Sequence, residues 1–430
     1  MPLAHYSSRA ELREAQQDKL GALLDSLASN PFQTLRHGSL NRPNPVSLEW
    51  FTAHVPSTTK AEISRDQGEH PPYGTNLSIA VAACTRFHQT SGTRGKPLCW
   101  MDSPADWSAL LDCWEEVYAA AEVGPGDRIL FAFSFGPFLG FWTAFEAAAR
   151  RGCLCLPGGG LTTLARLHLL LDQQATVICY TPTYALHLAE VAARENLDTG
   201  ADFVRRIIVA GEPGGSLPHI RVLLRQAWPK ARIFDHHGMT EVGPVTYECP
   251  SHPGHLHIIE SAYLAEVMDP ATGQAIKDGV VGELVLTTLT RRAMPLLRYR
   301  TGDLVRVKPA LEEKCACGRV EKLLEGGILG RVDDMVVVRG VNIFPSSVDA
   351  ILRSEPAVGE YRVEVDRRFP MVQMQVEVEI QGEAVSAAKL CANLEARLQT
   401  LLALKIPVKT AALGSLPRFE MKAMRWVEKS

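Results

Sequence analysis

The segment His88 to Leu98, HQTSGTRGKPL, gathers two glycines, two threonines, a serine and a lysine into eleven residues. Glycines let a backbone turn tightly and bring its N–H groups close to a ligand. Hydroxyl and ammonium donors without matching acceptors suit an anion, phosphate above all. The spacing is not that of the P-loop, GxxxxGK[ST], because Pro97 follows Lys96. Taken alone, the segment reads equally well as another kind of phosphate loop or as a surface turn. A second group of chemistry-bearing residues lies downstream. Cys315-Ala316-Cys317 is a CxC closed by Gly318, and CPSHPGHLH, from Cys249 to His257, adds a cysteine and three histidines. Two thiolates with a distant Cys/His pair make the ligand set of a structural zinc site. The alternative is unpaired thiols beside a histidine-rich strand. His252, His255 and His257 are all open as the fourth ligand.

These residues need a scaffold, and the chain is long enough to supply one. Its 430 residues imply two or three domains, and 46% apolar with 22% charged residues is ordinary for a globular protein. A net charge of −3 and the lack of a dense basic run give no footprint for nucleic acid. The opening MPLAHYSSRAELREAQQ has no apolar core of a secretory signal. The most apolar window, Ile129 to Phe145, is broken by Ser134, Gly136, Pro137 and Gly140, so no membrane span is expected. Ten cysteines in a chain of this length are not a disulfide framework, and a reduced, cytoplasmic protein is expected.

Ser8 and Glu11 predict a helix start, with an end near Asn30-Pro31. From Asp106 onward, helical patterns alternate with short buried strands: ILFAF, CLCLP, TVICY and RRIIVAG. Such alternation predicts a parallel sheet in an α/β domain. After Asp235, HLHIIE, YLAEVMD, GELVLTTL and DLVRVKP predict a β-rich subdomain. Beyond Gly330, a helix (VDAILRSE), a hairpin and a second helix predict a small α+β domain. The expected division is therefore residues 1–330 and 331–430.

Four further segments acquire meaning together: AGEPGG (210–215), DHHGMTE (235–241), YRTGDL (299–304) and LGRVDDMVVVRGVNIFPS (329–346). In this order, behind the loop at Thr90 to Pro97, they resemble the adenylate-forming superfamily, and within it the phenylacetate–coenzyme A ligase family. The resemblance implies a large N-terminal adenylating domain with parallel sheets and a β-rich subdomain, followed by a small mobile C-terminal domain. It implies an ATP-dependent, AMP-forming acid–thiol ligase: a carboxylate attacks the α-phosphate, then a thiol, coenzyme A or a carrier's phosphopantetheine, displaces AMP. A stand-alone adenylating enzyme and a silent nucleotide-binding homologue are the other readings.

Roles follow by position. Thr90, Ser91, Gly92, Thr93, Gly95 and Lys96 match the family's phosphate loop, with Arg94 in place of a threonine. Glu241 matches the Mg²⁺-holding glutamate, and Thr240 the threonine near the α-phosphate. Gly211, Glu212, Pro213 and Asp235 match the adenine cradle, and His237 stands where tyrosine is usual. Asp303 matches the acid that accepts from the ribose hydroxyls, and Arg331 the arginine beside the nucleotide. Lys422, in LPRFEMKAMR, falls on the adenylation lysine, although Met421 and Phe419 replace small residues. Asp333 falls on the hinge, and Arg339-Gly340 on the thiol tunnel. Phe135, Gly136 and Gly158, with Phe133 and Tyr184, fall in the region of the acid pocket. Matching LHIIE to the family favours Cys249, His257, Cys315 and Cys317 as the zinc ligands. A homodimer is the family's habit.

Overall fold

The computed structural model describes residues 3, 5–38, 42–90, 96–133, 135–198, 203–212, 214–309, 313–339, 341–368, 372–381, 386–419 and 424–429. Its centre is a five-stranded parallel sheet: β1 (Arg128–Phe131), β2 (Leu154–Pro157), β3 (Val177–Tyr180), β4 (Arg206–Val209) and β5 (Arg232–Asp235), in the order β2-β1-β3-β4-β5. The residues Val177 to Tyr180 are buried without interruption, because crossover helices cover the sheet. Those helices are α1 (Pro104–Ala120), α2 (Leu139–Arg150), α3 (Thr163–Asp172), α4 (Pro182–Arg194) and α5 (Pro218–Ala227). Their starts are written locally. Ser103 and Asp106 form a capping box at α1, and Thr181 accepts from Tyr184 N ahead of Pro182 at α4.

A four-stranded antiparallel sheet follows, ordered β6 (Tyr263–Met268), β7 (Val281–Thr288), β8 (Tyr299–Arg306), β9 (Gly330–Arg331). Its register sets Asp303 opposite Arg331. The C-terminal unit has its own hydrophobic cluster, drawing on Val336, Ile351, Val363, Val376, Leu394 and Val408 among others. Its sheet runs β12 (Val408–Ala411), β11 (Gln373–Ile380), β10 (Val358–Asp366), β13 (Trp426–Lys429), with helices α6 (Pro345–Arg353) and α7 (Ala387–Leu402). His219 Nε2 meets Asp349 Oδ2 at 2.8 Å across the boundary, and Ser346 Oγ donates to Leu329 O at 2.8 Å. Among the described residues no helix is long and apolar enough to cross a membrane.

The first helix ends at Ser26 and a 3₁₀ turn, Leu27–Ser29, carries it to the expected stop, where Asn30-Pro31 also opens another helix, Pro31–His37. Asn30 Oδ1 accepts from Gln33 N, so the pair that marks the stop is also a cap with proline at the first helical position. One local expectation fails: the apolar run LSIAVAA (77–83) reads in sequence as a strand leading into the glycine-rich loop, but it carries a short 3₁₀ turn, Val81–Ala83, with no buried residue. The strand that enters the glycine-rich loop is Arg86–Gln89, paired antiparallel with Cys99–Asp102. Apolar type alone cannot specify a strand where no partner edge is available.

Candidate active site

The ligand end of an open α/β sheet lies at the carboxyl ends of its strands. Here an apolar cavity of about 240 Å³ occupies that position. Ala132 and Phe133 follow β1, Tyr180 and Thr181 end β3, Ala210 and Gly211 follow β4, and His236 follows β5; all line it. Helix α2 closes the far side with Leu139, Phe141 and Ala144. Phe133 stacks on Phe141 at 3.7 Å. Of the expected pocket residues, Phe133 and Tyr184 line the cavity, while Phe135, Gly136 and Gly158 do not. Phe135 packs edge-on against Trp142 and Phe145, and Gly158 N donates to Phe131 O, so both serve the wall behind.

A polar cradle of Asp235, His237, Glu241 and Asp303 adjoins the cavity in sequence, since Thr240, which lines the cavity, precedes Glu241, and Gly211, which also lines it, precedes Glu212. Asp303 is buried, its Oδ1 accepting from Arg331 Nη1 at 2.7 Å, while His237 Nε2 lies 3.0 Å from its Oδ2. Gly302 permits this approach: its φ is +78°, and a Cβ there would meet Arg331 Nη2 at 2.8 Å. Glu241 is buried and pairs with Lys60 Nζ at 3.0 Å. Asp235 is held by Ser216 Oγ at 2.6 Å, and burial pushes its carboxyl up to about 7. Glu212 Oε1 accepts from Thr183 N at 2.7 Å, tying the AGEPGG turn to α4.

The glycine-rich loop is closed at its base, where Thr90 N donates to Leu98 O and Leu98 N to Thr90 Oγ1, each at 3.0 Å. Lys96 is exposed beside it. Ser91, Gly92, Thr93, Gly95, Pro213, Gly340 and Lys422 lie outside the described residues. Arg339 is exposed and adopts φ +51°. Asp333 accepts from Arg331 Nε at 2.8 Å. Met424, Arg425 and Trp426 line a cleft of about 630 Å³ between the two units, together with Glu212 and Arg331.

Sequence reasoning missed the buried ions that position this cradle. Arg291 is 1% exposed; its Nε and Nη2 grip both oxygens of Asp102 at 2.5 and 2.8 Å. Its Nη1 donates to Thr240 O at 2.8 Å and Glu241 O at 2.9 Å. Burial would raise the Asp102 carboxyl, yet Arg291 holds it below its ordinary range. Arg221 likewise grips Glu248 with two 2.8 Å bonds, and Glu248 in turn accepts from Asp235 N. Arginine matches a carboxylate bidentately, which fixes orientation as well as distance. No local motif marks these pairs, because Asp102 and Arg291 are 189 residues apart. Asp102→Ala is expected to cost ~3–5 kcal/mol, since it strands a buried guanidinium. Urea unfolding checks this, and a stability within 1 kcal/mol of the parent (a roughly fivefold change in K at most) would remove the network from this role.

The Cys/His set converges. The donor atoms of Cys249, His257, Cys315 and Cys317 all lie within 4.8 Å of one another. Cys249 Sγ and Cys315 Sγ are 3.6 Å apart, and Cys317 Sγ is 3.3 Å from His257 Nε2. Tetrahedral zinc, with bonds of about 2.0–2.3 Å, separates its ligands by about 3.5–3.8 Å, so the set fits that ion. His257 Nδ1 meets Glu321 O at 3.2 Å, which leaves Nε2 facing the sulfurs. His252 Nδ1 flanks two of the thiols at 3.4 and 3.5 Å but is not in the mutually close set.

Comparison with known proteins agrees with this layout. Residues 84–289 match the family model "AMP-binding enzyme", and residues 340–429 match "AMP-binding enzyme C-terminal domain". The chain is 33% identical over 378 residues to the phenylacetate–coenzyme A ligase of Thermus thermophilus, covering 86% of this chain and 82% of that one. In structure it is similar to a 2-hydroxyisobutyryl-CoA ligase in its postadenylation state with R3-HIB-AMP, with a TM-score of 0.91, 28% identity, and coverage of 99% and 91%. Against the same enzyme in its thioesterification state the TM-score is 0.73, at 28% identity and the same coverage. The chain as a whole is therefore more similar to the postadenylation structure than to the thioesterification one.

Proposed function

Because the chain belongs to the phenylacetate–coenzyme A ligase family of AMP-forming acyl-CoA ligases, we propose that it activates an aryl carboxylic acid with ATP and passes the acyl group to coenzyme A. The observation that carries this reading is the adjacency of cavity and cradle. Gly211 and Thr240 line the apolar cavity and are the chain neighbours of Glu212 and Glu241 in the polar cradle, so a ring in the cavity would present its carboxylate at the cradle. A carboxylate oxygen attacks the α-phosphorus, and the bond to pyrophosphate breaks. A thiol then attacks the acyl carbon, and AMP leaves.

Each residue has a task in that sequence. Asp303, held by Arg331, accepts from the ribose hydroxyls. His237 stands beside Asp303 as a flat ring suited to the nucleotide. Thr90 and Lys96 anchor the loop that receives the β- and γ-phosphates. Magnesium fits Glu241, a hard oxygen ligand beside the cradle, and when bound it neutralises phosphate charge. Lys60, paired with Glu241 at 3.0 Å, orients that carboxylate. Zinc fits the four Cys/His donors as a closed structural set. Residues 331–430 act as the mobile domain that exchanges adenylation for thioester formation, turning at Asp333. The free cysteines are consistent with the reduced cytoplasm.

Pyrophosphate release with ATP and Mg²⁺, measured over aryl and alkyl acids with and without coenzyme A, tests the reading. Release with aryl acids that rises on adding coenzyme A is expected. Release indifferent to coenzyme A would replace it with another acceptor, and silence over the whole panel would reject the ligase. Lys422→Ala is expected to slow adenylation by roughly 10²–10³-fold while ATP still binds, as when one preorganised donor is removed from a charged transition state. Equal adenylation rates in variant and parent would take Lys422 out of the reaction.

A further inference from the structure

The cavity that receives the acid is lined almost wholly by apolar groups, so its few free polar atoms define what it selects. Most polar side chains in its wall are already committed. Trp114 Nε1 donates to Thr143 Oγ1 at 2.9 Å. The Tyr184 hydroxyl is held by Arg166 Nη1 at 2.7 Å and Thr163 Oγ1 at 3.2 Å. Two are not. Tyr180 is 1% exposed, and its hydroxyl has no hydrogen-bond partner among the described residues. His236 is 5% exposed, with its ring 4.5 Å from Trp114. Its Nδ1 lies 2.6 Å from Thr246 O, so Nδ1 carries the proton and Nε2 keeps its lone pair.

A buried hydroxyl without a partner costs free energy, and native interiors rarely tolerate one unless a ligand completes it. The volume also decides something: about 240 Å³ exceeds the ~150 Å³ that suffices for benzene in an apolar protein cavity. A bare ring would leave part of that space empty and both polar atoms unmet. A ring hydroxyl answers both, because it donates to one neighbour and accepts from another. Building on the acyl-ligase reading above, we infer that the cognate acid is a hydroxyl-substituted aryl acid, whose ring hydroxyl donates to His236 Nε2 and accepts from the Tyr180 hydroxyl. Burial lowers the imidazole to about 4 and raises the phenol above its ordinary range. At neutral pH His236 is therefore an acceptor and Tyr180 a donor.

The test compares hydroxyl, methyl and hydrogen at each ring position of phenylacetic and benzoic acids. Two readouts are taken on the full chain: equilibrium binding by calorimetry without ATP, and kcat/KM for pyrophosphate release. The inference expects one hydroxyl isomer to exceed its methyl counterpart at least ~100-fold in both, as in sites built to hydrogen-bond a substrate hydroxyl. Tyr180→Phe, which keeps the packing, and His236→Leu should each shrink that ratio below ~10-fold. Hydroxyl-selective binding without pyrophosphate release would uphold the pocket assignment and reject the ligase reading. Pyrophosphate release with unsubstituted or alkyl acids, at ratios untouched by Tyr180→Phe, would uphold the ligase and overturn the inference. Failure of every hydroxyaryl acid to bind would overturn it as well.

Discussion

Asp303→Ala is expected to lower kcat/KM for ATP by roughly 10²–10⁴-fold, with the acid's own binding little changed. The carboxylate is buried at the end of the cradle, where Arg331 and His237 hold it in one orientation. Two hydroxyl donors of a ribose on a preorganised carboxylate contribute ~1.5–3 kcal/mol each, and each ~1.4 kcal/mol is tenfold. The variant also leaves the Arg331 guanidinium without its 2.7 Å partner, although Asp333 still binds Nε. Asp303→Asn separates the two effects, since it keeps shape and loses charge. Initial-rate kinetics in ATP and in acid provide the check. A fall confined to the acid's KM would place Asp303 in the wrong subsite.

The second large effect concerns the Cys/His cluster. Protein prepared without chelators is expected to carry one zinc per chain, and Cys315→Ser is expected to lose it together with at least ~3 kcal/mol of stability. The pairing of Leu256–Ile258 with Leu323–Leu324 explains why the loss would spread. His257 sits in that register, and Cys317 binds it from the loop just upstream of Leu323. Hydrogen bonds from Cys249 and His257 hold the Cys317 thiol below its ordinary range, and the same contact with Cys317 raises the Cys249 thiol. Elemental analysis and thermal melts of parent and variant decide it. Metal-free parent protein melting with the variant would leave the cysteines as packed thiols.

What the sequence determined is local and chemical. The alternation of ILFAF, CLCLP, TVICY and RRIIVAG with helical patterns settles a parallel sheet, because burial on both faces demands continuous apolar strands. The capping pair Ser8 and Glu11 marks a helix start that backbone geometry then honours. The Cys/His donors that converge, and Asp235, Glu241 and Asp303, can be picked out by type and order. Tertiary structure decided what depends on distance across the chain. Asp102 meets Arg291, and Arg221 meets Glu248, only after the sheet and its β-rich neighbour close on each other. The same closure chose His257 over His252 for the mutually close metal set. It kept Phe133 and Tyr184 on the cavity wall, added Phe141 and Tyr180, and left Phe135, Gly136 and Gly158 off it, because a side chain faces a cavity only by its place in a packed layer. That placement is a property of the assembled core, and no stretch of sequence states it alone.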